Sequence, residues 1–492
     1  MSSTTTTTTT TTRASETAPR VGERRGGIRA MRRERSTSAT RARASASGDD
    51  GLASSSSLYC GLDFGTSSAR MALVDDRGTL VRVASRAYEP ADARVGLARA
   101  WETALFQLLE SLETEERARL EGVAVDGTSG TVLIVDSRSG EVLRPPYMYN
   151  DTFPDQVANV RGLRNGPGKD STESASSAAC KLARWYYKDR GARADRGEGE
   201  HDALLHHADW LAYQLHGKMG LSDFNNALKL GFDPDPSVEA FPKWLRDAPF
   251  GYMLPKDVRA PGTSFGTMRE SVVERFAFSP TCEVIAGTTD SVAAFVASSA
   301  SSAGECATSL GSTLALKLIS DTRVDDLDAG VYSHRLNGKW LVGGASNLGG
   351  WVLRRFFTNE ELATLSAKIA TENYRATEDY FTGVMLGFGM SVDEAATVVE
   401  ASRPEDDAQF VVNILASIAN VEARCYSRMR DLGASHGAQK VYTAGGGAKN
   451  DVWSDMRSKA MGGIPVVRSE CDEAAFGAAL LARQGRKRLE TY

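Results

Sequence analysis

Short runs of apolar residues, separated by Gly, Ser and Asp, divide the first part of the chain into strands and helices. The runs at 59–63, 69–75 and 79–86 predict three strands whose tight spacing permits antiparallel hairpins. The stretch VGLARAWETALFQLLESL has apolar residues near the helical period, and GVAVDG follows as a strand ending in Asp126. This pattern predicts a compact α/β unit.

A similar order returns in the second half of the chain. CATSLGSTLALKLISD has the pattern of strand, small polar turn and strand, and GVYSHRLNGKWLVGGAS predicts a hairpin turning at Asn337-Gly338. A long amphipathic helix ends at Gly433, KVYTAGGG predicts a strand running into a glycine loop, and DEAAFGAALLARQG predicts a closing helix. The repeated order predicts two related α/β lobes facing one another.

Length and composition narrow the class of protein. A chain of 492 residues is too long for one core, and no apolar run approaches the ~20 residues of a membrane span. The six cysteines include no C-x-x-C pair, which argues against a zinc site and fits a reducing compartment. Trp101, Trp210 and Trp351 are expected in cores, and His206 and His207 at a helix rather than in a metal site.

Charge is unevenly distributed along the chain. Residues 1–48 carry ten arginines and three acids, a net charge of +7. Because the whole chain has a net charge of −5, the remaining residues together carry about −12. The mildly acidic body lacks the basic face that nucleic-acid binding needs, and neither a nucleic acid nor a membrane is expected as a partner. The Ser-, Thr- and Arg-rich head is typical of a transit peptide, so we expect residues 1–57 to be a disordered targeting segment with its linker. Chloroplast is favoured over mitochondrion, and a disordered tail without a targeting role is the alternative.

The segment GLDFGTSSARMALVD places a small hydroxyl-bearing turn directly after an aspartate. Consecutive backbone N–H groups in such a turn form a nest suited to phosphate oxygens, and Thr66, Ser67 and Ser68 add donors. Asp63 is positioned to hold Mg²⁺, directly or through water, or to accept a hydrogen bond from a substrate hydroxyl. An ordinary β-turn is the alternative interpretation.

Two further segments strengthen the functional interpretation. TSLGSTLAL is a second small polar turn in the equivalent place, so two such turns facing across a cleft would grip a polyphosphate from both sides. In VIAGTTDSVAAF, Asp290 follows a strand and begins a helix whose dipole would help to keep it ionised, fit to take a proton from an alcohol. A helix N-cap is the alternative role for Asp290.

The segment YTAGGGAKNDVWSDMRSKA supplies a candidate nucleoside site. Its three glycines let a flat group approach the backbone, and Asn450 is able to hydrogen-bond an adenine edge or ribose. Trp453, one turn further on, either forms a wall for the base or packs in the core.

The ordered set of these motifs resembles the FGGY family of carbohydrate kinases, over roughly residues 58 to 490. The segments that carry the resemblance are DFGTS from Asp63, DGTS from Asp126, GTTD ending at Asp290, GST from Gly311, and GGGAKN ending at Asn450. The resemblance implies the α/β fold of the sugar kinases, actin and heat-shock ATPases, with two ribonuclease-H-like lobes around a central cleft. Residues 58–299 would form the sugar-binding lobe and 300–492 the ATP-binding lobe.

The resemblance also implies residue roles. Asp290 matches the general base, Asp63 the acid near substrate and magnesium, and Ser129 lies on the sugar side. The residues implied to bind ATP are Thr66, Ser67, Gly311, Ser312, Thr313, Gly446, Gly447, Asn450 and Trp453. ATP and Mg²⁺ are the implied cofactors, and a small sugar is the implied partner.

Within the family, VDGTSGTVLIVD and the small C-terminal lobe resemble the plastid and cyanobacterial D-ribulose kinase branch. Asp151 aligns with an acid of the family, with Tyr149 in place of a tryptophan. The family's K-x-x-W element is one residue longer here, from Lys181 to Trp185, and the second C-lobe signature is not recognisable. We expect ATP-dependent phosphorylation of the terminal hydroxyl of D-ribulose. The alternatives are D-xylulose, another polyol, or a catalytically silent nucleotide-binding scaffold.

Overall fold

The computed structural model describes residues 56–88, 96–165, 171–384 and 390–489, all within one compact unit. The expected transit peptide lies almost wholly outside the described residues. The strands are β1 Leu58–Phe64, β2 Ser68–Asp75, β3 Leu80–Ala87, β4 Leu120–Gly127, β5 Val132–Asp136, β6 Asp202–His206, β7 Leu221–Asp223, β8 Asp257–Arg259, β9 Ser264–Thr267, β10 Glu283–Ile285, β11 Glu305–Leu310, β12 Leu314–Ser320, β13 Tyr332–Leu336, β14 Lys339–Ser346, β15 Lys440–Ala444 and β16 Val466–Arg468.

Helices alternate with these strands along the chain. The α-helices are α1 Leu97–Glu110, α2 Thr114–Ala118, α3 Pro154–Arg164, α4 Ala178–Arg184, α5 Ala192–Asp195, α6 His207–His216, α7 Phe224–Leu228, α8 Lys243–Arg246, α9 Glu270–Phe276, α10 Asp290–Ala297, α11 Gly350–Arg354, α12 Asn359–Glu372, α13 Val392–Ala401, α14 Asp407–Asp431, α15 Asp451–Ala460 and α16 Ala474–Leu489. None of the helices in the described part of the chain is long and apolar enough to cross a membrane.

The first sheet has six strands in the order β3-β2-β1-β4-β10-β9. The two predicted hairpins are present, because β1 pairs antiparallel with β2 and β2 with β3, whereas β4 runs parallel to β1 and to β10. Every residue of β1 is buried, as its continuous apolar run predicts for a central strand, and β3 at the edge alternates between exposed and half-buried positions. The carboxyl ends of β1, β4 and β10 therefore meet at one edge.

The second sheet repeats this arrangement, in the order β13-β14-β12-β11-β15-β16. Strands β11, β12 and β14 are antiparallel, and β15 runs parallel to β11 and β16, as β4 does to β1 and β10. The predicted turn between β13 and β14 has positive φ at both Asn337 and Gly338, 49° and 74°, which only such residues adopt readily. The repeated architecture predicted from the sequence is confirmed.

The last helix returns to the first sheet. Small residues of α16 pack in one apolar cluster with Tyr59, Ala124 and Ile285. The fit is close, since a Cβ atom on Gly61 would lie 2.0 Å from the Ala475 carbonyl oxygen. The lobe boundary between residues 299 and 300 stays a prediction. All strands of the first sheet precede this boundary and all strands of the second sheet follow it. Helix α16, which follows the boundary, nevertheless packs on the first sheet.

Some expectations for single side chains are confirmed and one is wrong. Trp101 and Trp210 are buried in the core under the first sheet, and His206 caps the N-terminus of α6. Trp351, expected in a core, is 46% exposed. It belongs to α11, which begins beside an exposed turn, and its backbone N–H donates to the Ser312 carbonyl oxygen at 3.2 Å.

Candidate active site

Two aspartates lie side by side at the carboxyl ends of the central strands of the first sheet. Asp63 on β1 and Asp126 on β4 are register partners, and both are buried. Burial, together with the neighbouring Asp63 carboxylate, raises the pKa of Asp126 well above its usual range. Arg70, opposite Asp63 on β2, lies 3.5 Å from its carboxylate and 3.4 Å from that of Glu473. Asp126 and Arg70 are site residues that the sequence analysis did not assign.

The two aspartates present carboxylate oxygens, the ligand type that Mg²⁺ prefers. Neither carboxylate oxygen of Asp126 accepts a hydrogen bond from an N–H or O–H group of the described residues. In those same ranges, no group of three or more His, Cys, Asp or Glu side chains is arranged to hold a metal ion. Mg²⁺ characteristically binds through one or two carboxylates, water and substrate phosphates rather than an all-protein cage. The donor set therefore fits Mg²⁺ held at Asp63, directly or through water, with Asp126 beside it.

Asp290 belongs to the same group of carboxylates. The segment before it continues the sheet edge, because Gly127 and Thr289 form a parallel bridge. The helix cap is Thr289, and Asp290 is the first helical residue of α10, so it is not the N-cap. One carboxylate oxygen accepts the Ser291 backbone N–H at 2.7 Å. The parallel bridge puts Asp290 one residue beyond the same sheet edge that carries Asp63 and Asp126, and the Asp63 charge contributes to raising the pKa of Asp290.

The helix dipole is expected to lower the pKa of Asp290, but burial outweighs that effect. Burial raises the pKa of Asp290 above its ordinary value, and the negative charge of Asp63 acts in the same direction. The Ser291 N–H and the charges of Lys229 and Lys317 lower it, but do not cancel the effect of burial. Asp290 is consequently a stronger base than an exposed aspartate.

The two small polar turns occupy equivalent positions in the two sheets. The first joins β1 to β2, with the Gly65 N–H donating to the Ser68 carbonyl oxygen at 3.1 Å and with Thr66 and Ser67 exposed. The second joins β11 to β12 in the same way, with the Gly311 N–H bonded to the Thr313 carbonyl at 3.2 Å. The exposed hydroxyls of Thr66, Ser67 and Thr313 face solvent, whereas the Ser312 hydroxyl accepts a hydrogen bond from the Arg354 guanidinium at 2.7 Å.

The glycine loop after β15 lies against the second turn. A Cβ atom on Gly445 would be 2.8 Å from the Leu310 carbonyl oxygen and 3.3 Å from the Gly311 nitrogen. Asn450 caps α15 through its side-chain oxygen, while its amide nitrogen donates to the Ser366 hydroxyl at 2.9 Å. Gly311, Gly446 and Gly447, predicted to bind ATP, are thus brought together, whereas the Asn450 side chain is already engaged on both sides.

Trp453 does not form an accessible wall for a base. Its side chain is 2% exposed, and its ring N–H donates to the Leu415 carbonyl oxygen at 3.0 Å. A Cβ atom on Gly447 would lie 2.6 Å from the Trp453 ring, so the indole supports the glycine loop from inside the core. The alternative interpretation of Trp453 as a core residue is the correct one.

A cavity of about 470 Å³ lies between residues of the two halves of the fold. One wall carries Ser129 and Tyr149 together with Ser291, next to Asp290, and the other is formed by β12, β13 and β14. The Ser129 hydroxyl is buried and has no hydrogen-bond partner among the described residues. The volume of the cavity lies within the usual range of small-molecule sites.

Three charged or titratable side chains of this cavity were not singled out from the sequence: Lys229, Lys317 and His334. Lys317 stands alone among the apolar residues of LALKLIS, which was the available signal. Its ammonium lies 3.5 Å from the Ser291 hydroxyl, and burial lowers its pKa to about 8. Burial, with the two lysine charges, keeps the pKa of His334 well below its usual range, so the imidazole is neutral.

The loop that presents Ser129 is held by buried polar contacts. The Lys181 ammonium donates to the Gly130 carbonyl oxygen at 2.7 Å, and burial lowers the Lys181 pKa to about 7. The Asp151 carboxylate partly opposes that shift and accepts the Met148 N–H at 2.9 Å. These contacts make Lys181 and Asp151 positioning residues for the wall of the cavity.

Comparison with known proteins agrees with this geometry. A family model for the C-terminal domain of FGGY carbohydrate kinases matches residues 306–484. A xylulose kinase from Staphylococcus xylosus is 21% identical over 454 residues, covering 88% of this chain and 92% of that protein. The crystal structure of a xylulose kinase from Rhodospirillum rubrum has a TM-score of 0.69 at 22% identity, covering 87% of this chain and 90% of that one. Plasmodium falciparum glycerol kinase with ADP has a TM-score of 0.66 at 15% identity, covering 88% and 90%.

The duplicated sheets, with the candidate site at the edge of the first, give an α/β protein of the sugar kinase and actin fold class. Within that class, residues 306–484 match the C-terminal domain of the FGGY family of carbohydrate kinases, and the similar proteins that cover most of the chain include xylulose kinases. The expected alternative of a catalytically silent scaffold is not favoured.

Proposed function

We propose that this protein transfers the γ-phosphoryl group of ATP to the terminal hydroxyl of a ketopentose, with D-ribulose as the first candidate. The observation that carries the proposal is the position of Asp290, a carboxylate of raised pKa at the border of a polar cavity and close to Asp63. The cavity supplies a place for the acceptor, and the two turns with the glycine loop supply backbone and hydroxyl donors for the nucleotide.

In the proposed reaction, Asp290 accepts the proton of the acceptor's terminal hydroxyl. The oxygen forms a bond to the γ-phosphorus while the bond from that phosphorus to the bridging oxygen breaks, so that ADP leaves. The products are the sugar 5-phosphate, ADP and a proton. Ser129 and Tyr149 orient the sugar, and the turns at Thr66 and Ser312 orient the phosphates.

Mg²⁺, when bound, would neutralise negative charge on the phosphate oxygens, and Asp63 with Asp126 are the residues that would hold it. Arg70 lies beside Asp63 and adds a positive charge at the same edge. Phosphoryl transfer depends mainly on positioning and charge neutralisation, and this arrangement of side chains suits both.

D-Xylulose is the second candidate because relatives that cover most of the chain are xylulose kinases. The two sugars differ only in configuration at one carbon, so a direct comparison is required. The full chain would be assayed for ADP release with D-ribulose, D-xylulose, L-ribulose and glycerol, and the product examined by phosphorus NMR. We expect the highest kcat/KM with D-ribulose and a phosphomonoester at its terminal carbon. ADP release that is independent of any acceptor would refute the proposal.

We further propose that the basic N-terminal segment directs the protein to the chloroplast. Its ten arginines and its many Ser and Thr residues within positions 1–48 support this proposal. Residues 1–57 fused to a fluorescent protein are expected to accumulate in plastids. Accumulation in mitochondria, or uniform cytosolic signal, would contradict it.

A further inference from the structure

Two ammonium groups line the candidate acceptor cavity, and neither is neutralised by an ion pair. Lys229 directly follows α7, and Lys317 lies on β12 in the other half of the fold. Within the described ranges, the Lys317 ammonium contacts only the Ser291 hydroxyl at 3.5 Å, and the Lys229 side chain has no hydrogen-bond or ion-pair partner. Both lysines are half-buried and line the cavity, so their ammonium groups are able to donate to a ligand that accepts hydrogen bonds.

The two lysines add hydrogen-bond donors to this cavity. An ammonium group donates three hydrogen bonds and accepts none. His334 is neutral, and its Nδ1 has no hydrogen-bond partner in the described part of the chain. Lys317, with a pKa of about 8, is still mainly charged at neutral pH. The charge of the Asp290 carboxylate acts on Lys317, and the proposed task of Asp290 is to take the hydroxyl proton.

The chemistry of a ketopentose matches this arrangement. A five-carbon 2-ketose that closes its furanose ring uses its terminal oxygen to do so, so only the open-chain ketone offers that oxygen for phosphorylation. The open chain then carries a carbonyl oxygen with two lone pairs and no hydrogen. Two ammonium donors satisfy such an oxygen completely. In the corresponding pentitol, a hydroxyl replaces the carbonyl and brings a hydrogen that requires an acceptor between two donors.

Resting on the proposed function, we propose that Lys229 and Lys317 both donate hydrogen bonds to the carbonyl oxygen of the open-chain ketopentose. They are thereby specificity-determining residues that select ketoses over pentitols. A site built around a hydrogen bond strongly discriminates against an analogue that lacks the matching group, because buried polar groups are then left unpaired. The serines on the opposite wall contact the hydroxyls, which both classes of acceptor share.

The test compares acceptors within each variant of the full-length protein. We would measure kcat/KM for D-ribulose, ribitol and D-ribonate in the wild type, Lys317→Met and Lys229→Met. The wild type is expected to prefer D-ribulose over ribitol by ~100-fold or more. Each Met variant is expected to reduce that ratio to ~10 or less, chiefly through loss of D-ribulose activity. A ratio within one variant is insensitive to the fraction of protein that is folded.

Two further variants sharpen the test. Lys317→Arg retains a cationic donor and is expected to restore part of the preference for D-ribulose. Lys339→Met removes a lysine from β14, where it pairs with Asp321 away from the cavity, and is expected to leave the ratio unchanged.

The outcomes separate this inference from the proposed function. Equal losses with D-ribulose and ribitol in the Met variants would show that the lysines are only structural, and would overturn the inference while leaving the kinase activity intact. Faster phosphorylation of D-ribonate than of D-ribulose would assign the lysines to a carboxylate and also overturn it. Absence of phosphorylation with every ketopentose in the wild type would instead refute the proposed function.

Discussion

Replacing Asp290 with Asn keeps the size of the side chain and its place at the start of α10, but removes the group that would accept a proton. Burial and the charge of Asp63 raise the pKa of Asp290, which makes this carboxylate a better base than an exposed one. General-base catalysis typically contributes 10²–10⁴-fold, or about 2.7–5.4 kcal/mol of transition-state stabilisation. We therefore expect turnover in Asp290→Asn to fall by ~100-fold or more.

The same reasoning determines the pH dependence. The active form of Asp290 is deprotonated, so kcat/KM of the wild type should decline as the pH falls through the pKa of Asp290. Because that pKa is raised, the decline should begin at a higher pH than for an ordinary aspartate, whose pKa is about 3.9. In Asp290→Asn the remaining activity should lack this acidic limb.

Steady-state ADP release with D-ribulose and calorimetric titration of ATP would be measured together. Nucleotide affinity should be unchanged, because the residues assigned to ATP lie at the turns and the glycine loop. Asp431→Asn, at an exposed carboxylate paired only with its neighbour Arg430, is the matched control and should behave as wild type. Turnover within ~10-fold of wild type in Asp290→Asn, with the acidic limb retained, would refute the role assigned to Asp290.

Three further predictions concern the support of the site. Arg457→Met leaves the buried Glu422 carboxylate without its bidentate partner, so urea unfolding should show a loss of about 3–5 kcal/mol, partly recovered when Glu422 is also replaced by Leu. Gly477→Ala places a Cβ atom 1.8 Å from a carbonyl oxygen of α10 and should lower the melting temperature, whereas Gly162→Ala, with open space around it, should raise it slightly. Trp453→Phe should cost roughly 1 kcal/mol through the lost hydrogen bond but leave ATP affinity unchanged. A tenfold weaker ATP affinity would show that Trp453 contacts the base after all.

Several local features follow from sequence patterns alone. The hairpins of both sheets, the helix over Leu97–Glu110 and the turn at Asn337-Gly338 are specified by apolar periodicity and by residues that tolerate positive φ. The position of Asp290 between a strand and a helix is determined in the same way, since VIAGTTDSVAAF contains the end of the strand and the start of the helix. These features depend only on residues a few positions apart.

Other features depend on segments that are distant along the chain. The pairing of Asp63 with Asp126 requires the parallel register of β1 and β4, and no local pattern specifies a register between distant strands. The exposure of Trp351 and the burial of Trp453 are set by what packs against α11 and α15. The sequence left both environments open for Trp453, whereas the core position it predicted for Trp351 was wrong.

The sequence by itself determined the elements, their repeated order and the residue types able to serve phosphoryl transfer. Short-range hydrogen bonding and side-chain periodicity are sufficient for that. The tertiary structure decided which of these groups share one environment. Only folding brings Lys229 and Lys317 to one cavity beside Asp290, and only the resulting burial sets the direction of the Asp290 pKa shift. Desolvation and charge interactions act through space, so they cannot be assigned before the chain has folded.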